Sequence, residues 1–208
     1  MEPFTRLHGR AAPLMRANID TDALISAQAM VGGQVADPGK VLFTHWRYLP
    51  DGSPNPDFVL NQPRYGGTSV LVAARNFGCG SSREHAVWAL TGYGIRCVIA
   101  PSFGEIFYDN AFQNGLLLAI VTDEQAEHVA DIITQAAEPD LTVDLENRLI
   151  ILPDGRALSF EIPAERREAL LGGLDDLDLL RARTGETDRW LETDRAARSW
   201  AYPQRKAI

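Results

Sequence analysis

Three short apolar runs stand out along the chain: SVLVAA at 69–74, IRCVIA at 95–100 and LLLAIV at 116–121. Each is too short for a helix and lies between polar or glycine-rich residues, which predicts strands buried on both faces. Between them, 82–92 and 103–115 read as helices, the second stopped by Gly115. Strand, helix, strand, helix, strand with short links predicts a parallel β-α-β-α-β core joined by right-handed crossovers. Further on, 123–137 reads as an amphipathic helix, and 141–163 alternates apolar and polar residues around the turns ENR and PDG, the pattern of a β-meander. Residues 4–11 read as an opening strand, and 164–200 as two or three helices, the last opened by Thr184 as an N-cap. The segment 26–62 has no period and carries the turn signals GG, DPGK and PDGSPNPD. It is expected to be a flexible, loop-rich surface that orders against a partner or substrate. The pattern as a whole is α/β, with a main domain at 1–163 and a helical C-terminal extension at 164–208 packed on that domain.

Composition removes several function classes. A net charge of −8 over 208 residues, with no basic stripe, argues against a nucleic-acid partner, because phosphate binding rests on clustered Lys and Arg. No segment approaches membrane-spanning length, and the first residues lack the apolar stretch of a signal peptide, so a cytoplasmic protein without a membrane partner is expected. Cys79 and Cys97 are the only thiols. An iron–sulfur cluster takes three or four thiolates, so this chain is expected to bind no metal of its own.

The stretch NFGCGSSREH links the first central strand to the helix that follows it. Gly78 and Gly80 let the backbone turn sharply, which places Ser81 and Ser82 at the helix N-terminus, where free N–H groups favour an anion. Arg83 adds a planar fork suited to a carboxylate or phosphate. The reading is an anion site at the ends of parallel strands, where open α/β sheets hold their ligands. A plain N-cap with a surface arginine accounts for only part of the string, since a cap needs neither two glycines nor two adjacent serines. A dinucleotide fingerprint would need a third glycine, and a nucleophile elbow a glycine two residues past the serine; neither is present.

NFGCGSSREHAVWAL, together with NIDTDALI, GSPNPDFVLNQP and APSFGEIFYDNAFQNGLL in that order, resembles the small subunits of 3-isopropylmalate dehydratase (isopropylmalate isomerase) over roughly 4–200, the LLGGLDDLDLL tail included. These are counterparts of the swivelling fourth domain of aconitase. The resemblance implies an aconitase-like swivelling β/β/α domain and a hydro-lyase active only with a large partner subunit, which carries a [4Fe–4S] cluster with one open iron. It implies a small dicarboxylate substrate and the leucine-pathway interconversion of 2- and 3-isopropylmalate by dehydration and rehydration. By the motif match Ser81 is the catalytic base, and Ser82 and Arg83, with Gly80, bind the substrate. Asp22 matches an aspartate that helps orient an acid–base histidine on the neighbouring domain, although an Asx-turn in NIDTD accounts for it equally well. His85 is expected in a buried hydrogen-bonding role, Cys79 and Cys97 in packing, and Phe103, Phe107, Tyr108 and Phe112 in the core.

One segment departs from the family pattern. Between Asp22 and Lys40 there is no Lys or Arg; Val31 and Gly32 stand where basic residues are expected, and Ser26 where a proline is. That leaves open a paralogous hydro-lyase acting on another substituted malate, or a non-catalytic partner subunit that kept the fold.

Overall fold

A computed structural model describes residues 1–30, 37–81, 83–182 and 184–202. Its frame is a seven-stranded mixed sheet. Strand β1 (Arg6–Leu14) divides its partners along its length: Arg6 to Arg10 pair antiparallel with Asp144 to Asp140, and Ala11 to Leu14 pair parallel with Val70 to Ala73. On the parallel side follow β2 (Val70–Ala73), β3 (Cys97–Ala100) and β4 (Leu117–Ile120). On the antiparallel side follow β5 (Asp140–Asp144), β6 (Leu149–Ile151) and β7 (Ala157–Ser159). The three apolar runs are the parallel strands, and all their residues but Ile120 are fully buried. The meander alternates buried and half-buried positions in β5 and β6, as a sheet with one covered face should. The two edges then meet: Ile120 and Glu161 exchange backbone hydrogen bonds of 3.2 and 2.8 Å, so the sheet curls into a half-barrel.

Two one-turn helices, α1 (Thr21–Leu24) and α2 (Thr44–Arg47), precede the main ones: α3 (Glu84–Tyr93), α4 (Glu105–Gln113) and α5 (Asp123–Gln135). Helix α5 opens with a capping box, Thr122 and Gln125 each bonding the other's backbone, and lays Ala126, Val129, Ala130 and Ile133 toward the core against β1, β2 and β3. The tail forms α6 (Ala164–Gly172), α7 (Asp176–Ala182) and α8 (Thr184–Ala197). The first of these is tied in: Leu170 is fully buried and its carbonyl accepts the Phe4 N–H at 2.8 Å, while the N-terminal ammonium donates to Gly173 O at 2.9 Å. Helix α8 buries no residue, and Trp190 is 57% exposed. Thr184 does not cap it; Thr184 is already helical and its hydroxyl donates to Arg181 O at 2.8 Å.

The segment 26–62 is more ordered than its sequence predicts. From 37 onward it consists of 3₁₀ turns and α2, held down by Leu42, Phe43, Phe58 and Leu60, all buried, with Phe43 stacked on Trp46 at 5.3 Å. The aromatic anchors are irregularly spaced, so they leave no periodic signal although they join the core. Residues 31–36, which include Val31 and Gly32, lie outside the described residues.

Gly78 takes φ +72°, and a Cβ built there would lie 2.2–2.7 Å from the ring of Phe107, itself buried. Gly52 takes φ +83° with nothing within 4 Å. Gly52→Ala should cost about 1–2 kcal/mol through backbone strain alone. Gly78→Ala adds an overpacking cost of about 1–3 kcal/mol to that. Urea midpoints of the two variants, compared with wild type, check the difference.

Candidate active site

Beyond the ends of β1, β2 and β3 the chain keeps its ladder for a few residues more. Gly78 N–H donates to Ile19 O at 2.7 Å and Thr21 N–H to Cys79 O at 2.9 Å, while on the other flank Phe77 N–H reaches Ser102 O at 3.1 Å and Gly104 N–H reaches Phe77 O at 2.9 Å. The glycine-rich turn is thus a rung clamped between two neighbours. Its two glycines serve different needs. Gly78 makes room for Phe107, and Gly104 likewise brings its Cα close to Gly78 O; a Cβ at Gly80 would meet Asp20 Cβ and Thr21 Oγ1 only at ordinary contact distances of 3.5 and 3.6 Å, but Gly80 takes φ +97°. Asn18 and Asn76 also sit in the left-handed region, φ 57° and 62°, and bond each other through their side chains at 2.7 Å.

Ser81 emerges from this rung at the surface, beside α1. Its N–H donates to Thr21 Oγ1 at 3.2 Å, its Oγ lies 3.0 Å from that same oxygen, and Thr21 Oγ1 donates in turn to Ser81 O at 3.3 Å. Thr21 itself is buried, 1% exposed. Asp20 caps α1, accepting the Ala23 N–H at 2.7 Å. Asp22, the next acidic residue, makes an ion pair with Arg83. The Asx-turn expected of NIDTD therefore falls to Asp20, while the Asp22 carboxylate holds Arg83 and stays 61% exposed.

The helix starts later than the sequence predicts. Gly80 is left-handed and Arg83 is extended, at φ −91° and ψ 103°, so Arg83 is the N-cap position and Glu84 the first helical residue. Ser81 stands two residues before the cap rather than in the first turn. Arg83 N–H turns back to Ser81 O at 2.9 Å. Ser82 lies outside the described residues. Further along α3, Glu84 accepts from Asn114 Nδ2 at 2.9 Å, which ties α3 to the end of α4, and half-buried His85 packs on Trp88 with ring centroids 4.7 Å apart.

A cleft of about 200 Å³ opens at this point. Cys79, Gly80 and Ser81 form one wall, and Gly104, Glu105 and Ile106 form the other. Sites for small molecules usually enclose roughly 300–1,000 Å³. An open cleft below that range fits a site completed by a second surface. Among the described residues no three His, Cys, Asp or Glu side chains group as a metal site. Cys97 is fully buried in β3, where burial pushes its thiol pKa far up, and Cys79 has no second thiol beside it to share a cluster. The two thiols of this chain do not fit an iron–sulfur cluster. No described helix is long and apolar enough to cross a membrane.

The model described as Aconitase C-terminal domain matches residues 1–124, which take in every loop of this site, and that described as LeuD_N matches 132–164, which take in the meander. The 3-isopropylmalate dehydratase small subunit of Agrobacterium fabrum is 47% identical over 97% of this chain and 100% of its own length. The chain belongs to the 3-isopropylmalate dehydratase small-subunit family. The small subunit of Afipia carboxidovorans is 48% identical over 96% of this chain and all of its own. A crystal structure of 3-isopropylmalate dehydratase from Methanocaldococcus jannaschii superposes with a TM-score of 0.61 at 26% identity, covering 88% of this chain and 98% of that one. The overall fold of that 3-isopropylmalate dehydratase chain is thus the fold seen here.

Sequence reasoning missed Thr21, a buried threonine between two aspartates in a stretch that reads as a polar turn. Only its neighbour across the ladder shows its use.

Burial, and behind it the Asp20 carboxylate, push the Cys79 thiol above the ordinary range. A raised pKa means less thiolate at a given pH, so alkylation of Cys79 by iodoacetamide should reach half its limiting rate above the ordinary thiol value of about 8.5. Asp20→Asn should lower that midpoint by removing the smaller of the two causes. Labelling rates against pH, read by mass spectrometry, check both.

Proposed function

We propose that the chain is the small subunit of a 3-isopropylmalate dehydratase, interconverting 2- and 3-isopropylmalate by dehydration and rehydration in complex with a large subunit. The observation that carries this reading is Ser81 on the wall of the cleft, two residues before an arginine paired with Asp22, in a chain nearly half identical to small subunits of that enzyme over their full length.

The reaction removes a proton from a carbon next to a carboxylate and a hydroxyl from its neighbour. Ser81 Oγ is the base. It takes the proton as an alkoxide, and the electron pair left behind forms the double bond as the hydroxyl departs. When the partner's [4Fe–4S] cluster is bound, its open iron supplies Lewis acidity for that hydroxyl. Arg83 and Ser82, with Gly80, hold a substrate carboxylate. A guanidinium has five donors, so Arg83 can keep Asp22 and still offer a fork to the substrate. Asp22 then fixes the fork before substrate arrives, and its exposed side remains open to a histidine of the neighbouring subunit. The 164–208 segment is read as an extension of the same domain.

A second reading keeps the chemistry and changes the substrate. Its motive is the lack of any Lys or Arg between Asp22 and Lys40. Lys40 itself is exposed and paired with Asp37 at 3.2 Å. A paralogous enzyme that holds another substituted malate through different contacts would lack those basic residues.

The test is co-expression with the large subunit and an ultraviolet assay that follows the unsaturated acid, as its formation from isopropylmalate, dimethylmalate and homocitrate and as its loss from citraconate. Turnover of isopropylmalate supports the first reading, and turnover of only the other three supports the second. Ser81→Ala should lower kcat by about 10²–10⁴-fold with unchanged folding. Arg83→Lys should raise KM by about 10- to 100-fold, since a lysine cannot form the fork. Near-normal turnover by Ser81→Ala would remove Ser81 as the base, and a reconstituted complex inert on all four substrates would mark a non-catalytic partner.

A further inference from the structure

We propose that Thr21 is the positioning residue that makes Ser81 usable as a base, by moving its hydroxyl hydrogen from the Ser81 carbonyl to Ser81 Oγ as that oxygen loses its proton. The inference rests on the reading of Ser81 as the base and adds to it a residue and a motion.

Hydrogen-bond parity decides where the Thr21 hydrogen goes. A threonine hydroxyl has one hydrogen and two acceptor lone pairs. Thr21 Oγ1 has three neighbours, all on Ser81: the N–H at 3.2 Å, Oγ at 3.0 Å and the carbonyl oxygen at 3.3 Å. The N–H can only donate, so it occupies one lone pair of Thr21 whatever else happens. One hydrogen and one lone pair remain for two partners. While Ser81 is protonated, its Oγ–H fills the second lone pair, and the Thr21 hydrogen goes to the carbonyl. Once Ser81 is an alkoxide it has no hydrogen to give, and the Thr21 hydrogen can swing to the charged oxygen. Oγ is already the nearer acceptor, and a hydrogen bond to an oxyanion is both shorter and stronger than one to a carbonyl. When Ser81 takes the substrate proton, the arrangement inverts.

Thr21 is placed so that water cannot replace it. Its side chain is 1% exposed, its N–H is bound to Cys79 O at 2.9 Å, and its carbonyl accepts the Ile25 N–H at 3.0 Å. The Ser81 N–H that bonds Thr21 Oγ1 also polarises the hydroxyl and makes it a better donor. A serine titrates far above neutral pH, so its use as a base needs donors aimed at the oxygen where charge appears. Ser81 stands two residues outside the α3 cap, so the helix terminus does not fill that need alone. The charged groups around this pair are Asp20 and Asp22 at α1, Arg83 before α3 and Glu105 of α4.

The experiment compares wild type, Thr21→Ser, Thr21→Cys, Thr21→Val and Ser81→Ala, each reconstituted with the large subunit and assayed from acid to alkaline pH. Thr21→Val removes the hydroxyl at nearly constant shape. It should lower kcat about 10- to 100-fold, the worth of one hydrogen bond to a charged group, with KM little changed. The acid limb of its kcat profile should move to higher pH, because the alkoxide is harder to form. Thr21→Ser should restore both; Thr21→Cys, of similar shape but a poor donor, should resemble Thr21→Val and stands in for it if the valine variant fails to assemble. Adding Thr21→Val to Ser81→Ala should cost no further activity. If Ser81→Ala is inactive but Thr21→Val and Thr21→Cys match wild type in kcat and pH profile, the role of Thr21 is overturned while that of Ser81 stands. A Thr21→Ser variant as poor as Thr21→Val also overturns it, by assigning the loss to the methyl group. An active Ser81→Ala defeats the underlying reading, whatever the threonine variants do.

Discussion

The backbone ladder that runs on past the ends of β1, β2 and β3 is what the site depends on. Ordinarily a glycine-rich turn after a strand has two free sides. Here Gly78 and Thr21 bind the turn to the loop after β1, and Phe77 and Gly104 bind it to the loop after β3. Each bond is worth only about 0.5–1.5 kcal/mol on its own. Together they remove the turn's freedom before any ligand arrives. A side chain that must meet a substrate within a fraction of an ångström gains more from this than from any contact of its own, since positioning is a large share of what an active site supplies.

That ladder in turn depends on β1. One strand pairs parallel with β2 over its second half and antiparallel with β5 over its first, so both halves of the sheet take their register from it. Ala11 and Ala12, buried where the pairing changes, are small enough to let elements on both sides approach. The Ile120–Glu161 bridge closes the far edges. A sheet curled and pinned in this way holds the relation of Ser81 to Thr21 fixed.

The parallel strands were legible in the sequence because burial on both faces makes each an unbroken apolar run, as in VLVA and CVIA. The meander was legible from its alternation. The packing of 37–62 was not, because Leu42, Phe43, Phe58 and Leu60 are buried from turns, and turns impose no period on the residues they bury. For the site, the GSSR string marked the place and the residue types. It could not show that the helix waits until Glu84, since that follows from backbone angles at Gly80 and Arg83 which the two serines between them do not encode. Nor could it show Thr21 against Ser81, a contact across sixty positions of sequence made by the ladder rather than by any local pattern.

Charge sets the last constraint. A chain of net charge −8 offers an anion no attraction at long range, and screening at physiological salt confines any favourable field to about 8 Å. Recognition therefore falls on groups in direct contact. Arg83, two residues after Ser81, already shares its charge with Asp22, which leaves less than a full positive charge for an anion. The stretch from Asp22 to Lys40 adds none. If the substrate is a dicarboxylate, its second carboxylate needs a cation that Lys40 or the other subunit would have to bring. The same deficit that makes the substrate's identity a question of experiment also explains why this half of the site should have little affinity for the substrate by itself.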